Sequence, residues 1–472
     1  MKGVKNLFKK KDNLIKALNT VVPEKRQIMW QETEFSALVY FGLNTFIGKQ
    51  EGNGKTEPNA FFPTAIDIPD WISTFRSAGM KGAVLTVKHH DGFCMWRSKT
   101  TSYSMSSSPY RNSEGDIFRE FTDACRDGGM KAGFQFSLCD RNTDKKGKEL
   151  DDLICAQLTE LLSDYGEIYE VKFDLGGEKL HDYDIERYVK LIRSLQPDAA
   201  IVNGPDVRHL GNTKAVCRKE EWNVIEPVND LQKITKIDSS KENTYRTPDG
   251  IGQMQLDLGS VKALKKANSL CWQPVVVDYP MRDSWFYHRN EDEISMFLQN
   301  LKKLYFSTVG ANSSLELGVP IDQRGQVHES EKLTLESFGI DMNILTKNPL
   351  LRTSRIEANF GEDTISNLLN DDSTYYNSGE VNSPVEITVT FGEEKIIRLI
   401  SLGENIATGQ QIEKFSIYTS EGRKFKKAET HGAVGYKKLI IPEKPMVTSA
   451  IKIVIEKTRE FATLKNLEIY SA

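Results

Sequence analysis

From about residue 36 to 320, short β-branched apolar runs alternate with segments of helical period, and nothing else in the chain restricts its fold as strongly. The runs are "ALVYFGL", "GAVLTV", "AGFQFSL", "IYEVKF", "AAIVNG", "QPVVVDY" and "SSLELGV". Between them lie amphipathic stretches such as "DIPDWISTFRSAGM", "DIFREFTDACRDGGM", "LDDLICAQLTELLSDYG" and "DIERYVKLIRSLQP", several opened by Asp and closed by Gly or Pro as capped helices are. This is the pattern of βα units around a parallel sheet. Length and order predict an α/β fold, an irregular (β/α)8-type barrel. Near 220 to 270 the pattern blurs, so eight units cannot be counted from sequence.

From about 350 the texture changes to alternating strands, "VEITVTFG", "IRLISLG", "FSIYTS", "KKLIIP" and "AIKIVIEK", separated by turn-rich loops, which reads as an antiparallel β-sandwich. The expected organisation is a catalytic barrel domain over 1–345 followed by a β-sandwich over 346–472. A chain of 472 residues with 39% hydrophobic residues has the material for two such cores.

Lys+Arg (62) and Asp+Glu (66) nearly balance, which provides no basic field for nucleic acid. No apolar stretch approaches the roughly 20 residues needed to span a bilayer, so no membrane partner is expected. The basic N-terminus, "MKGVKNLFKKKDNL", lacks the apolar stretch and cleavage site of a signal peptide. The expectation is a soluble chain, cytoplasmic, or periplasmic or secreted if a signal has been removed. The six cysteines (Cys94, Cys125, Cys139, Cys155, Cys217, Cys271) make no C-x-x-C spacing and read as isolated buried thiols. No cofactor is expected.

In a βα barrel the active site lies at the C-terminal mouth of the strands, so polar residues that directly follow apolar runs are the ones of interest. Here they recur: Asn44 and Thr45; His89, His90 and Asp91; Asp140, Arg141 and Asn142; Asp174; Asn203 and Asp206; and Asp278. Six such tips suggest one polar pocket. The stretch "VLTVKHHDGF" admits three readings: a metal site, a sugar or other polar-ligand pocket, or two histidines satisfied within the fold. Neighbouring strand residues point to opposite faces, so His89 and His90 are not expected to grip one ion, and among 7 His there is no H-x-H pair. No metal is therefore expected. Sugars need many directional hydrogen bonds, flat aromatic surfaces and, for hydrolysis, a carboxylate. In "YEVKFDLGG", Asp174 supplies the carboxylate and Gly176 and Gly177 allow close approach; the alternative role for Asp174 is to cap the segment that follows.

The stretches "FGLNTF", "VKHHDGF", "YGEIYEVKFD", "NGPDVRHLGN", "MRDSWFYH" and "ANSSLELGVPIDQRG" fall in the order and spacing of the retaining α-L-fucosidases, glycoside hydrolase family 29, which the chain resembles over about residues 30–330. The sandwich beyond 350 is similar to the carbohydrate-binding-type domain of many members. The resemblance implies a retaining exo-glycosidase acting on a terminal α-L-fucosyl or related galacto-configured sugar through a covalent glycosyl-enzyme. Asp174 matches the family's nucleophile, and His89 and His90 match its sugar-contacting pair. Asn44, Asp278, Arg282 and Trp285 are further expected substrate-binding residues.

Departures from the family pattern fall on the pocket. Tyr40 stands where the family has His, Glu51 and Lys172 where it has Trp, and Pro274-Val275-Val276 where one branch has Pro-Ala-Glu. Thr213 aligns with the catalytic Glu of that branch, and a hydroxyl does not ionise usefully near neutral pH. Glu220 and Glu221, just downstream in "CRKEEW", are the candidate replacements for the acid/base; the alternative is that they form plain surface pairs with the neighbouring Lys and Arg. The rival reading is a carbohydrate-binding protein on the same fold with impaired hydrolysis.

Overall fold

The computed structural model describes residues 11–178, 181–210, 218, 220–227, 257–293, 295–381, 383–422 and 424–472. Its first part carries β1 (Phe35–Tyr40), β2 (Gly82–Lys88), β3 (Lys131–Ser137), β4 (Glu170–Asp174), β5 (Ala200–Val202), β6 (Arg208–His209), β7 (Val224–Ile225), β8 (Cys271–Trp272), β9 (Val275–Pro280) and β10 (Ser314–Pro320). β7 and β8 form a small antiparallel pair. The other eight make one sheet in the order β5-β4-β3-β2-β1-β10-β9-β6. A parallel bridge from Val202 to Val207 brings its two edges together and nearly closes the barrel.

The helices are α1 (Lys11–Thr20), α2 (Lys25–Gln31), α3 (Leu43–Ile47), α4 (Ile68–Ser77), α5 (Ile117–Asp127), α6 (Lys148–Ser163), α7 (Ile185–Leu195), α8 (Leu298–Thr308) and α9 (Glu329–Leu345). The side chains of Asp67, Asp116 and Asp184 accept the backbone N–H of Asp70, Arg119 and Arg187, which starts α4, α5 and α7 where the sequence has its Asp signals. Such caps each contribute about 1 kcal/mol. The blurred count has a physical cause. β6 is two residues long and follows β5 by a tight turn with no helix between, so neither strand nor helix period can develop.

Strand alternation sorts the side chains. On β4, Val171 and Phe173 pack outward into the apolar layer under the helices, whereas Glu170, Lys172 and Asp174 point into the barrel. Gly339 of α9 lies against the Ser77 carbonyl at the end of α4, and a Cβ there would drive into that oxygen. Gly339→Ala is therefore expected to cost about 1–3 kcal/mol by overpacking, read as a lower urea midpoint at unchanged slope.

The C-terminal part comprises β11 (Arg355–Ala358), β12 (Tyr376–Glu380), β13 (Val385–Gly403), β14 (Ile412–Glu421), β15 (Lys424–His431), β16 (Lys438–Ile440), β17 (Met446–Thr458), β18 (Phe461–Leu464) and β19 (Asn466–Ser471). All pairings are antiparallel, with a seven-stranded sheet built on the long β13 and a separate β12–β18 pair closing over one apolar core. This domain meets the barrel at the N-terminal ends of its strands. Lys437 pairs with Glu34, just before β1, at 2.6 Å, and the Tyr436 N–H donates to Asn312 Oδ1, just before β10, at 2.7 Å. The mouth lies at the opposite pole.

Candidate active site

Asp174 closes β4, and its carboxylate is 19% exposed at the barrel mouth. The Gly176 N–H donates to Oδ1 at 2.9 Å, and the Gln135 amide donates to Oδ2 at 3.4 Å. The Nε2 atoms of His90 and His89 lie 3.8 and 4.0 Å from the same Oδ2. Burial alone would raise this carboxyl, but the two imidazoles and the Gly176 N–H hold it below the usual carboxylate range. It is an ionised oxygen pair presented to a partly desolvated space.

The expectation that His89 and His90 face apart is corrected by the structure. The β2–β3 register shifts between Thr86 and Lys88, and β2 ends at Lys88, so strand alternation stops before the pair. Their rings lie 4.1 Å apart, tilted by 36°, on the same site. Ser137 donates its hydroxyl proton to the Cys139 carbonyl at 2.9 Å, so its oxygen accepts from His90 Nδ1 at 2.8 Å and Nε2 is turned toward Asp174. His89 is held down to about 3 by burial and by its neighbour His90, which keeps its ring neutral at ordinary pH. His89, His90 and Asp174 also bring one ligand atom each within 4.8 Å, a geometry open to a cation as well as to hydroxyls.

Gly176 and Gly177 have a use within the fold itself. A Cβ on Gly176 would lie 3.0 Å from His90 Nε2, and Gly177, at φ 76°, would meet the Cys139 side chain at 2.9 Å. They let the loop after β4 fold over His90.

The remaining expected residues separate into wall, floor and support. Tyr40 forms part of the wall: its oxygen accepts from Gln135 at 2.8 Å, and its ring packs 5.1 Å from Trp285. Asn44 is buried behind His89, 3.4 Å from its Nδ1, and orients that ring. Glu51 is at the rim, where Arg141 joins it at 2.7 Å and reaches Glu178, beyond Asp174, at 2.8 Å. Lys172 lies one layer below Asp174 with its side chain 2% exposed, paired with Asp278 at 2.6 Å and Glu316 at 2.5 Å. Asp278 also approaches His209 Nε2 at 2.7 Å.

Three expected site residues are corrected and a fourth falls outside the described residues. Arg282 is buried and gives bidentate bonds to Glu331 at 2.8 and 2.9 Å and another to Asp292 at 2.8 Å, so it braces the loop after β9 and does not face the pocket. Glu221 is fully buried between Arg208 and Arg218, which override its burial and hold it below the usual carboxylate range. Its carbonyl accepts from Asn312 at 2.9 Å and from Gln410 of the sandwich at 3.1 Å, which places it at the N-terminal pole. Glu220 is exposed there against Gly432. Neither stands at the mouth with Asp174. Thr213 and Cys217 lie outside the described residues.

Sequence reasoning missed Gln135, Ser137 and His209. A lone Gln between Phe134 and Phe136 was the available signal, since it must face the side opposite both rings. Beside His89, burial pushes Asp91 up to about 7. Its native pKa exceeds the unfolded value of about 4, so the native state binds more protons between those values. That contribution is fully present below about pH 4 and is lost as pH rises through about 7. In Asp91→Asn, urea midpoints measured from pH 4 to 8 are expected to fall less with rising pH than in the parent.

The family model for α-L-fucosidase matches residues 24–346. Alpha-L-fucosidase 1 of Arabidopsis thaliana is 29% identical over 468 residues, which covers 95% of this chain and 87% of the relative. A crystal structure of a candidate α-L-fucosidase from Bacteroides ovatus ATCC 8483 superposes with a TM-score of 0.85 at 32% identity, covering 98% of this chain and 76% of that one. The Ruminococcus gnavus GH29 fucosidase E1_10125, solved in complex with fucose, shares the fold at a TM-score of 0.80 and 23% identity over 96% of this chain and 95% of its own.

Proposed function

Because the chain belongs to the α-L-fucosidase family, glycoside hydrolase family 29, we propose that Asp174 is the nucleophile of a retaining exo-α-L-fucosidase and that His89 and His90 hold hydroxyls of the sugar bound over it. The protein is a glycoside hydrolase of fucosidase type. The observation that carries the residue assignment is the ionised Asp174 carboxylate at the end of β4 with both imidazole Nε2 atoms within 4.0 Å. Attack by a carboxylate on the anomeric carbon, followed by hydrolysis of the glycosyl-enzyme, retains configuration. The neutral ring of His89 suits it to exchange hydrogen bonds with hydroxyls, while the Tyr40 and Trp285 rings offer flat surface to the sugar's apolar face.

Lys172, paired with Asp278, is buried in the barrel interior below Asp174, which accords with removal of one terminal residue from a glycan or glycoside. Aryl α-L-fucosides with acidic phenols are expected to turn over faster than fucosyl disaccharides, since their leaving groups need little protonation. Proton NMR of such a hydrolysis should show the α-anomer first, at a rate unaffected by chelator. The β-anomer first, or loss of activity with chelator, would contradict this reading.

A further inference from the structure

We infer that His209, held by Asp278, carries the proton for the departing glycosidic oxygen and takes it back from the hydrolytic water. The inference rests on the assignment of Asp174 as nucleophile. A retaining enzyme needs such a group beside its nucleophile, and neither expected carboxylate provides it: Glu221 is locked between two arginines at the other end of the barrel, and Glu220 is exposed there with it.

His209 ends β6, paired with Val276 of β9, so its side chain and that of Asp278 share the barrel interior. The ring is 21% exposed, with Nε2 2.7 Å from Asp278 Oδ2. Asp278 is in turn paired with Lys172, which also binds Glu316, so a charged imidazole here has a fixed anionic partner and a neutral one leaves Asp278 still matched by Lys172. Among the described residues the second ring nitrogen, Nδ1, has a long contact of 3.5 Å to the Asn203 amide. One N–H of that amide donates to the Phe173 carbonyl at 2.8 Å, directly before Asp174, and the other is free to face the ring. Asn203 thus ties the imidazole to the backbone that carries the nucleophile.

The chemistry balances. Asp174 bonds to the anomeric carbon, the bond from that carbon to the glycosidic oxygen breaks, and the oxygen leaves as an alcohol with the proton from His209. The neutral ring then accepts a proton from water as the water oxygen bonds to the anomeric carbon and Asp174 departs as carboxylate. Asp278 and Lys172 keep their charges throughout.

The test uses His209→Gln, with His209→Asn as a second variant should the first fold poorly. For a fucosyl disaccharide kcat/KM is expected to fall by about 10²–10⁴-fold, while kcat/KM for a dinitrophenyl fucoside stays within a few-fold. Azide, which attacks without losing a proton, should restore kcat on the aryl substrate and give fucosyl azide of retained configuration. Equal losses on both substrates, or no effect of azide on either variant, would overturn the inference. Failure of the Asp174 reading is distinguishable: the unsubstituted protein would then turn over no fucoside, or Asp174→Ala would leave turnover intact.

Discussion

Asp174→Ala is expected to lower fucoside turnover by about 10⁴-fold or more while leaving the fold in place, because removing a covalent nucleophile deletes the reaction path itself. The side chain is at the pocket surface, and its contacts are the Gly176 N–H, the Gln135 amide and two imidazoles. Its loss leaves no buried charge without a partner. Circular dichroism and the urea midpoint should therefore match the parent. Asp174→Asn would retain shape but not charge and should be equally inactive. Activity within tenfold of the parent in either variant would require another nucleophile.

The second large effect concerns stability. Lys172→Met is expected to cost about 3–5 kcal/mol, the range for breaking a buried ion pair by removing one partner. Lys172 is the cation among three carboxyls inside the barrel: Asp278 at 2.6 Å, Glu316 at 2.5 Å, and Glu170, which accepts from Trp30 Nε1 at 2.7 Å. Burial pushes Glu316 well above the usual carboxylate range and raises Glu170. Asp278, despite burial, is held below that range by His209 and Lys172. Without Lys172, Asp278 loses its permanently charged partner and retains the contact with the His209 ring. Urea unfolding at unchanged slope reads the loss directly, and a double cycle with Asp278→Asn should return a coupling of the same sign. A change under about 1 kcal/mol would mean that the cluster is not desolvated as its burial implies.

The sequence made legible those elements in which local chemistry and tertiary role agree. Asp67, Asp116 and Asp184 cap helices in the structure as their placement suggests, and the long apolar runs of β1 to β4, β9 and β10 are barrel strands. Legibility failed where a local rule stopped applying. The period-2 rule separated His89 from His90, but β2 had already ended at Lys88. A two-residue β6 has no period, which hid both the count of eight and the inward direction of His209. Arg282 follows an apolar run like a pocket residue, yet Glu331, 49 positions away, claims it, and no spacing reveals such a partner. Glu220 and Glu221 are near Thr213 in sequence, but the chain carries them to the far pole, against Asn312 and Gly432.

The most direct measurement of the central claim is to trap the glycosyl-enzyme. Incubation with 2-deoxy-2-fluoro-α-L-fucosyl fluoride, whose C2 fluorine slows both formation and hydrolysis of the intermediate while its good leaving group speeds formation alone, should inactivate the protein with time. Peptide mass spectrometry should then find one fluorofucosyl adduct, on Asp174 within "VKFDLGG". Inactivation with the label on any other residue would contradict the account, as would fucoside turnover with no adduct formed.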